Sequence, residues 1–278
     1  MKLFRHGPAG QEKPGAVDAQ GQLRDLSLLV PDLTPDWLAP ERLQALAAID
    51  LQRMPLVAAD TRIGCPVGGV RQFVAIGLNY RKHALESGHD IPKEPVVFTK
   101  ALTSLAGPND DVTLPEGSVA GDWEIELGIV IGSVVRQVAK EQALAHVAGY
   151  VLANDVSERD WQIKRNGQWG KGKSFDGFGP IGPWLVTADE LPDPQSIPLE
   201  LRVNGEVRQR SNTADMIFNV AEVVSYLSQF MTLLPGDVVI TGTPEGVGLG
   251  MKPPQFLARG DVMTLSAGVL GTQRQQVR

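Results

Sequence analysis

Gly121-Asp122-Trp123-Glu124-Ile125-Glu126-Leu127-Gly128-Ile129-Val130-Ile131 is the stretch on which the reading of this chain turns. Its large apolar residues recur at every second position, the period of a β-strand. Trp123, Ile125, Leu127, Ile129 and Ile131 therefore share one face. Glu124 and Glu126 stand side by side on the other face, in line with Gly128 and Val130. Adjacent carboxylates on one face repel. A hard cation with oxygen ligands relieves that repulsion, and Mg²⁺, Mn²⁺ and Ca²⁺ all take carboxylate. A solvated strand face, where glutamate is ordinary, is the alternative. Two features favour the cation. Gly128 leaves space beside the acids. A second apolar run, Gly149-Tyr150-Val151-Leu152-Ala153-Asn154-Asp155, also ends on a carboxylate. Acids at strand ends sit where sites form at the mouth of a sheet or barrel, although Asp155 could equally cap a following helix.

Working outward, short apolar runs bounded by turn residues predict further strands at Phe73–Ile76, Val96–Phe98, Tyr150–Leu152, Trp184–Val186, Leu199–Val203, Val238–Ile240 and Val262–Leu265. Asn204-Gly205 predicts a two-residue hairpin turn, and Pro235-Gly236-Asp237 another turn. Helices are expected at Pro40 to Leu51, Lys140 to Val147, and Ser157 to Arg165, the last with Ser157 and Asp160 at capping-box spacing. The best-marked helix runs from Asn219 to Met231, with Asn219 as cap, Glu222 at the third helical position and Val220, Val223, Val224, Leu227 and Phe230 on one face. The sum is an α+β chain, mostly β. A small N-terminal domain is expected over residues 1–70 and the larger, functional domain over 71–278.

Composition narrows the function. The chain has 278 residues, 42% of them hydrophobic, which suffices for a sizeable core. A formal charge of −6 without a basic tract argues against nucleic acid or an anionic membrane as partner. The single cysteine, Cys65, excludes a disulfide framework and argues against a zinc–thiolate cluster. The N-terminus carries no signal-peptide apolar stretch and no run is long enough to span a membrane, so a soluble cytoplasmic protein is expected.

Three other segments carry candidate chemistry. Asn79 to Gly88 reads as a short helix capped by Asn79 and stopped by Gly88. Within it His83 and Glu86 share a face, a pairing that fixes the imidazole tautomer and suits a general base, or else a surface pair on a solvated turn. His6, His89 and His146 lack such a partner and read as surface or structural. The glycine-rich, basic segment Trp169 to Pro180 could bring Lys173 to a developing oxyanion, or be a mobile surface loop. In Thr241-Gly242-Thr243-Pro244-Glu245-Gly246-Val247-Gly248, glycines allow close backbone approach and Thr243 offers a hydroxyl and an N–H, with a plain loop as the alternative.

These motifs together resemble the fumarylacetoacetate hydrolase family over roughly Arg71 to Val277. They are Ile76-Gly77-Leu78-Asn79-Tyr80 with His83 and Glu86; Glu124-Ile125-Glu126-Leu127; Asn154 to Asp160; Gly172-Lys173-Ser174-Phe175-Asp176; and Thr241 to Gly248. The resemblance implies a mixed β-roll core, usually in a homodimer, and a Mg²⁺ or Mn²⁺ ion on Glu124, Glu126 and Asp155. It implies a water-activating His83–Glu86 dyad on a segment that orders over the substrate, and Lys173 as the group that stabilises substrate or enolate charge. Arg159, Gln162 and Thr243 match positions that hold the oxo-acid end of the substrate, and Tyr80 is expected to be a further substrate-binding residue. The expected reaction is hydrolysis of a C–C bond in a 2,4-dioxo acid of the acylpyruvate type, such as 2,4-diketo-3-deoxy-L-rhamnonate, giving pyruvate and a second acid. Oxaloacetate decarboxylation, oxo-acid tautomerisation or isomerisation, and ureidoglycolate cleavage are alternatives on the same scaffold. From another class, a non-catalytic, metal-stabilised binding dimer is the alternative.

Overall fold

The computed structural model describes residues 1–88 and 90–278; His89 lies outside the described residues. Its backbone is one large mixed sheet faced by a smaller antiparallel one. Across the large sheet the strands run Leu23–Asp25, Lys13–Val17, Lys2–His6, Leu185–Thr187, Val147–Asn154, Ile125–Ile131, Val238–Ile240, Phe73–Gly77 and Val96–Thr99, with Ile63–Gly64 also paired to Lys2–His6. The smaller sheet runs Glu206–Asn212, Pro198–Val203, Val262–Ser266 and Thr272–Gln276. All the expected strands are present. The Asn204-Gly205 turn has both residues at positive φ, 51° and 83°, as a primed two-residue turn requires.

The predicted alternation along Ile125–Ile131 has a clear physical outcome. Ile125, Leu127, Ile129 and Ile131 pack with Trp123 into an apolar cluster shared with Leu199, Leu201, Met263 and Leu265 of the smaller sheet. Val130, on the opposite face, belongs to a second cluster with Val151, Ala153 and Ile240. That cluster also takes in Leu3, Leu26, Leu33, Leu38 and Leu46 from the first fifty residues. The central strands are thus buried on both sides, and the solvated-face alternative for Glu124 and Glu126 is removed. Residues 1–70 contribute strands to the same sheet, through the antiparallel pairing of Lys2–His6 with Leu185–Thr187.

The helices show where local signals misled. Val220–Phe230 has the full capping box between Asn219 and Glu222. The expected helix at Lys140 shortens to Lys140–Ala143 plus a 3₁₀ turn, because Val147 already enters a strand. Pro40–Ala47 likewise stops short of Leu51. Ser157 does not cap a helix: its hydroxyl donates to the carbonyl of Asp155, and Ser157–Glu158 pairs with Gly121–Asp122. The turn that follows, Asp160–Lys164, is π-helical, and Glu158 takes the N–H of Trp161. Long-range pairing outweighs the capping pattern here.

Asn79 is a second correction. The short helix is Arg81–Glu86, and Tyr80 stands at its cap position. Asn79 is fully buried and makes three long-range bonds instead. It donates to the carbonyls of Phe218 and Thr241 and accepts from the N–H of Phe218. It thereby ties the start of this helix to the end of Val238–Ile240. Asn79→Ala leaves buried peptide groups unpaired and is expected to cost at least roughly 1–3 kcal/mol, read as a lower urea midpoint at an unchanged m-value. An unchanged midpoint would show that the side chain is not an anchor.

Candidate metal centre and active site

The antiparallel register of Ile125–Ile131 with Val147–Asn154 places Ala153 opposite Glu126 and Asn154 opposite Ile125. The ladder continues one step beyond, where the N–H of Asp155 donates to the carbonyl of Glu124 at 2.9 Å. Directly opposed residues point to the same face of a sheet. Asp155 therefore comes to the face of Glu124 and Glu126, and the three carboxylates offer oxygens within 4.8 Å of one another. All three are buried.

Cations are arranged around this cluster. Lys173 Nζ donates to Glu124 Oε2 at 2.7 Å and to Asp155 Oδ2 at 2.8 Å. The lysine lies on the short helix Gly170–Lys173 rather than on a mobile loop, and it is 2% exposed. Gly172 makes that placement possible: a Cβ there would come within 2.4 Å of the Glu158 carbonyl and 2.5 Å of the Gln162 nitrogen. Arg159 pairs through Nη2 with both Asp122 and Glu124 at 2.7 Å, and through Nη1 with Gln162 Oε1 at 2.8 Å. Lys100 approaches Asp155 Oδ1 from the other side and also donates to the Phe178 carbonyl at 3.2 Å.

Glu126 has a different environment. It accepts one hydrogen bond, from the N–H of Gly242 at 2.7 Å, and among the described residues it makes no ion pair. Burial, with Asp155 and Glu124 close by, pushes its carboxyl well above the usual range. Glu124 moves the other way: burial acts to raise it, but Lys173 and Arg159 outweigh burial. Burial lowers the Lys100 ammonium, and the carboxylates around Lys173 raise that one against burial. The set fits a divalent ion. Three buried carboxylates converge, the donors are all oxygen, and one of them has no countercharge of its own.

A cavity of about 470 Å³ opens on this cluster. Glu124, Glu126, Lys173, Arg159, Gln162, Thr243, His83 and Glu86 all line it, so it gathers most of the residues singled out from sequence. His83 Nδ1 stands 3.4 Å from Glu86 Oε2, and both Glu86 oxygens accept from the N–H of Gly246 at 3.1 Å. Two expectations change in detail. The Thr243 hydroxyl is already engaged, donating to the Ile125 carbonyl and accepting from Gln209. Tyr80 is fully buried in the apolar cluster between the sheets and is not among the cavity-lining residues. His6 sits 3.9 Å from Asp25, and His146 Nδ1 meets the Ser133 hydroxyl at 2.7 Å; neither lines the cavity.

Sequence reasoning missed Lys100 and Asp122. Lys100 closes the apolar run Val96-Val97-Phe98-Thr99, the same signal that marked Asp155, and was open to the same reading. Asp122 is fully buried and accepts from the N–H groups of Trp123, Gly248 and Leu249 as well as from Arg159. Nothing in its local sequence indicates those partners.

Known proteins share the family and the fold of this chain. Residues 72–278 match the model for the fumarylacetoacetate (FAA) hydrolase C-terminal domain. A curated protein of Burkholderia ambifaria, described in no more detail than as a hydrolase, is 57% identical over 279 residues, covering 100% of this chain and 99% of its own. The solved fumarylacetoacetate hydrolase of the psychrophile Exiguobacterium antarcticum has a TM-score of 0.89 at 37% identity, covering 100% of this chain and 99% of that one. A structure from Mycobacterium abscessus described as a 2-hydroxyhepta-2,4-diene-1,7-dioate isomerase has a TM-score of 0.85 at 35% identity, covering 100% and 98%.

The charge imbalance is directly testable. A carboxyl raised in the folded state opposes folding once pH passes its ordinary value of 4.5, because the unfolded chain then releases the proton more easily. Glu126→Gln removes that term and retains an acceptor for Gly242. It is expected to raise the melting temperature of metal-free protein at pH 7 by a few degrees, and to abolish the rise that Mg²⁺ or Mn²⁺ gives the parent. For the parent that rise corresponds to about 2.7 kcal/mol at a metal concentration one hundredfold above Kd. A parent insensitive to both metals would refute the metal assignment.

Proposed function

The chain belongs to the fumarylacetoacetate hydrolase family, and on that premise we propose that it is a Mg²⁺- or Mn²⁺-dependent enzyme that hydrolyses a C–C bond in a 2,4-dioxo acid. The observation that carries this reading is the meeting of two separate devices in one cavity: the Glu124–Glu126–Asp155 cluster, which reaches the cavity through Glu124 and Glu126, and the His83–Glu86 pair. Either device alone serves a narrower chemistry. Carboxylates with a metal suffice to polarise a 2-oxo acid, whereas attack by water also needs a base.

Charge supports an anionic substrate. The buried network holds four carboxylates, Asp122, Glu124, Glu126 and Asp155, against three cations, Arg159, Lys100 and Lys173. With all ionised the network is one negative charge in excess, and a dication turns this into one positive charge. A mono-anionic oxo-acid head then restores neutrality in a buried site.

The Glu124, Glu126 and Asp155 carboxylates would hold the metal, whose Lewis acidity toward the substrate's 1-carboxylate and 2-oxo oxygens would provide the electron sink for C–C cleavage. Arg159 and Gln162 bind the head. Glu86 faces Nδ1 of His83, which leaves Nε2 to take a proton from water. The resulting hydroxide adds to the C4 carbonyl. Collapse of that adduct breaks C3–C4, the electron pair goes to C3 as the pyruvate enolate, and a carboxylic acid leaves from the distal side. Lys173, 2.7 Å from Glu124, offsets negative charge as it develops. The proton held on His83 returns at C3, giving pyruvate.

Isomerisation is the second reading, favoured by the likeness to the M. abscessus structure described as an isomerase. It requires no attacking water, and neither does decarboxylation. The test is pyruvate release from acetylpyruvate by the Mg²⁺-loaded protein, and the effect of His83→Ala on it. Hydrolysis predicts a fall of about 10²–10⁴-fold in kcat with metal binding intact. Pyruvate release that survives the substitution nearly unchanged would remove His83 as the base. Absence of pyruvate release from the Mg²⁺-loaded parent, with keto–enol interconversion of the oxo acid retained, would move the assignment to isomerisation.

A further inference from the structure

We infer that the distal half of the cavity selects an apolar acyl group, alkyl or aryl, and rejects a polyhydroxylated sugar-acid chain. This inference rests on the reading above that the metal-side residues take a 2-oxo acid head. Beyond the head-binding Arg159 and Gln162, several polar side chains of the wall are already committed: Lys173 to Glu124 and Asp155, the Thr243 hydroxyl to the Ile125 carbonyl, and Glu86 to Gly246, while Ser87 and Lys252 also line it. Much of the rest of the wall is apolar: Phe98, Ile163, Trp169, Val247, Leu249 and Met251.

The aromatic part of that wall is fixed in place. Trp169 packs edge-on to Phe98, with ring centroids 5.6 Å apart. It also presses on Gly77, where any Cβ would lie 2.3 Å from its ring. Packed against Gly77 and Phe98, the indole gives the cavity an apolar wall that begins beside Lys173, whose Nζ is 5.5 Å from the Phe98 ring. Ile163 and Leu249 are 49% and 38% exposed, so apolar surface continues on the outer side of these walls. Each hydroxyl of a sugar-acid tail would have to leave water for a wall with few free partners, which is unfavourable. Lys252 is the free cation of this wall. It is exposed and makes no ion pair among the described residues.

Equilibrium binding separates this inference from the hydrolytic reading. Mg²⁺-loaded protein is titrated calorimetrically with three 2-oxo acids that lack the 4-oxo group and cannot be cleaved: pyruvate, 4-phenyl-2-oxobutanoate and 2-keto-3-deoxygluconate. The phenyl compound is expected to bind at least tenfold more tightly than pyruvate, and the hydroxylated compound no more tightly than pyruvate. Trp169→Ala should shrink the phenyl advantage to within about threefold, and Trp169→Phe should restore part of it. Equal affinities across the three, or a preference for the hydroxylated acid, overturn the inference. So does a tighter fit for 2-oxoadipate that disappears in Lys252→Ala, which would assign the distal end to a carboxylate. Absence of pyruvate release from acylpyruvates bears only on the hydrolytic reading, because these affinities do not depend on turnover.

Discussion

The site depends first on one strand register. Glu124 and Glu126 belong to one chain segment and Asp155 to another, and they meet because Asn154 pairs with Ile125 and the next N–H, that of Asp155, bonds to the Glu124 carbonyl. A slip of one residue would send Asp155 to the opposite face, where Ile125, Leu127 and Ile129 pack with Leu199, Leu201 and Leu265 of the smaller sheet. Both faces of this strand pair are buried, so a slip would also carry Asn154 and Leu152 to the acid face and Asp155 and Ala153 to the other. The packing that holds the register is therefore the same packing that assembles the acids. The first fifty residues contribute to it directly, by covering the face that carries Val130, Val151 and Ala153.

Burying this many carboxylates is costly unless they are paired and hydrogen-bonded. The chain answers with a shell of cations that is uneven in a useful way. Lys173 bridges Glu124 and Asp155, Lys100 holds the far oxygen of Asp155, and Arg159 spans Asp122 and Glu124. Among the described residues Glu126 is left with a backbone N–H alone. A fully neutralised cluster would have little affinity for a dication, and an unneutralised one would oppose folding. The arrangement lies between these limits, with the missing charge localised on the acid nearest the Gly242 amide.

Much of this was legible in sequence, and the reason is periodicity. The two-residue alternation from Trp123 to Ile131 identified the strand, its core face and its paired acids, and the apolar run ending at Asp155 identified the partner. Helical spacing put His83 and Glu86 on one face, and only the family resemblance gave the pair a role. What stayed illegible depends on contacts distant in sequence. Ser157 and Asp160 have capping spacing, but Ser157–Glu158 is drawn into a bridge with Gly121–Asp122. Asn79 has the composition of a cap, but its amide is used by Phe218 and Thr241. Asp122 is the clearest case: the alternation places it in a strand, but nothing local indicates that it collects three backbone N–H groups and an arginine.

The loop from Thr241 to Gly250 shows why these distant contacts matter for chemistry. Its amides reach three different acids. Gly242 N–H meets Glu126 of the metal cluster, Gly246 N–H meets Glu86 of the dyad, and Gly248 and Leu249 N–H meet Asp122, which holds Arg159. The sheet-borne cluster and the helix-borne His83–Glu86 pair are thus located by one stretch of backbone. The 3.4 Å separation of His83 from Glu86 is long for a strong hydrogen bond. Glu86 is nevertheless fixed by the loop, so closing that gap requires only a small rotation of the His83 side chain toward an anchored carboxylate. A base on a short helix and a substrate clamp on a rigid sheet can then come into register without rearrangement of either, because the loop already fixes the distance between them.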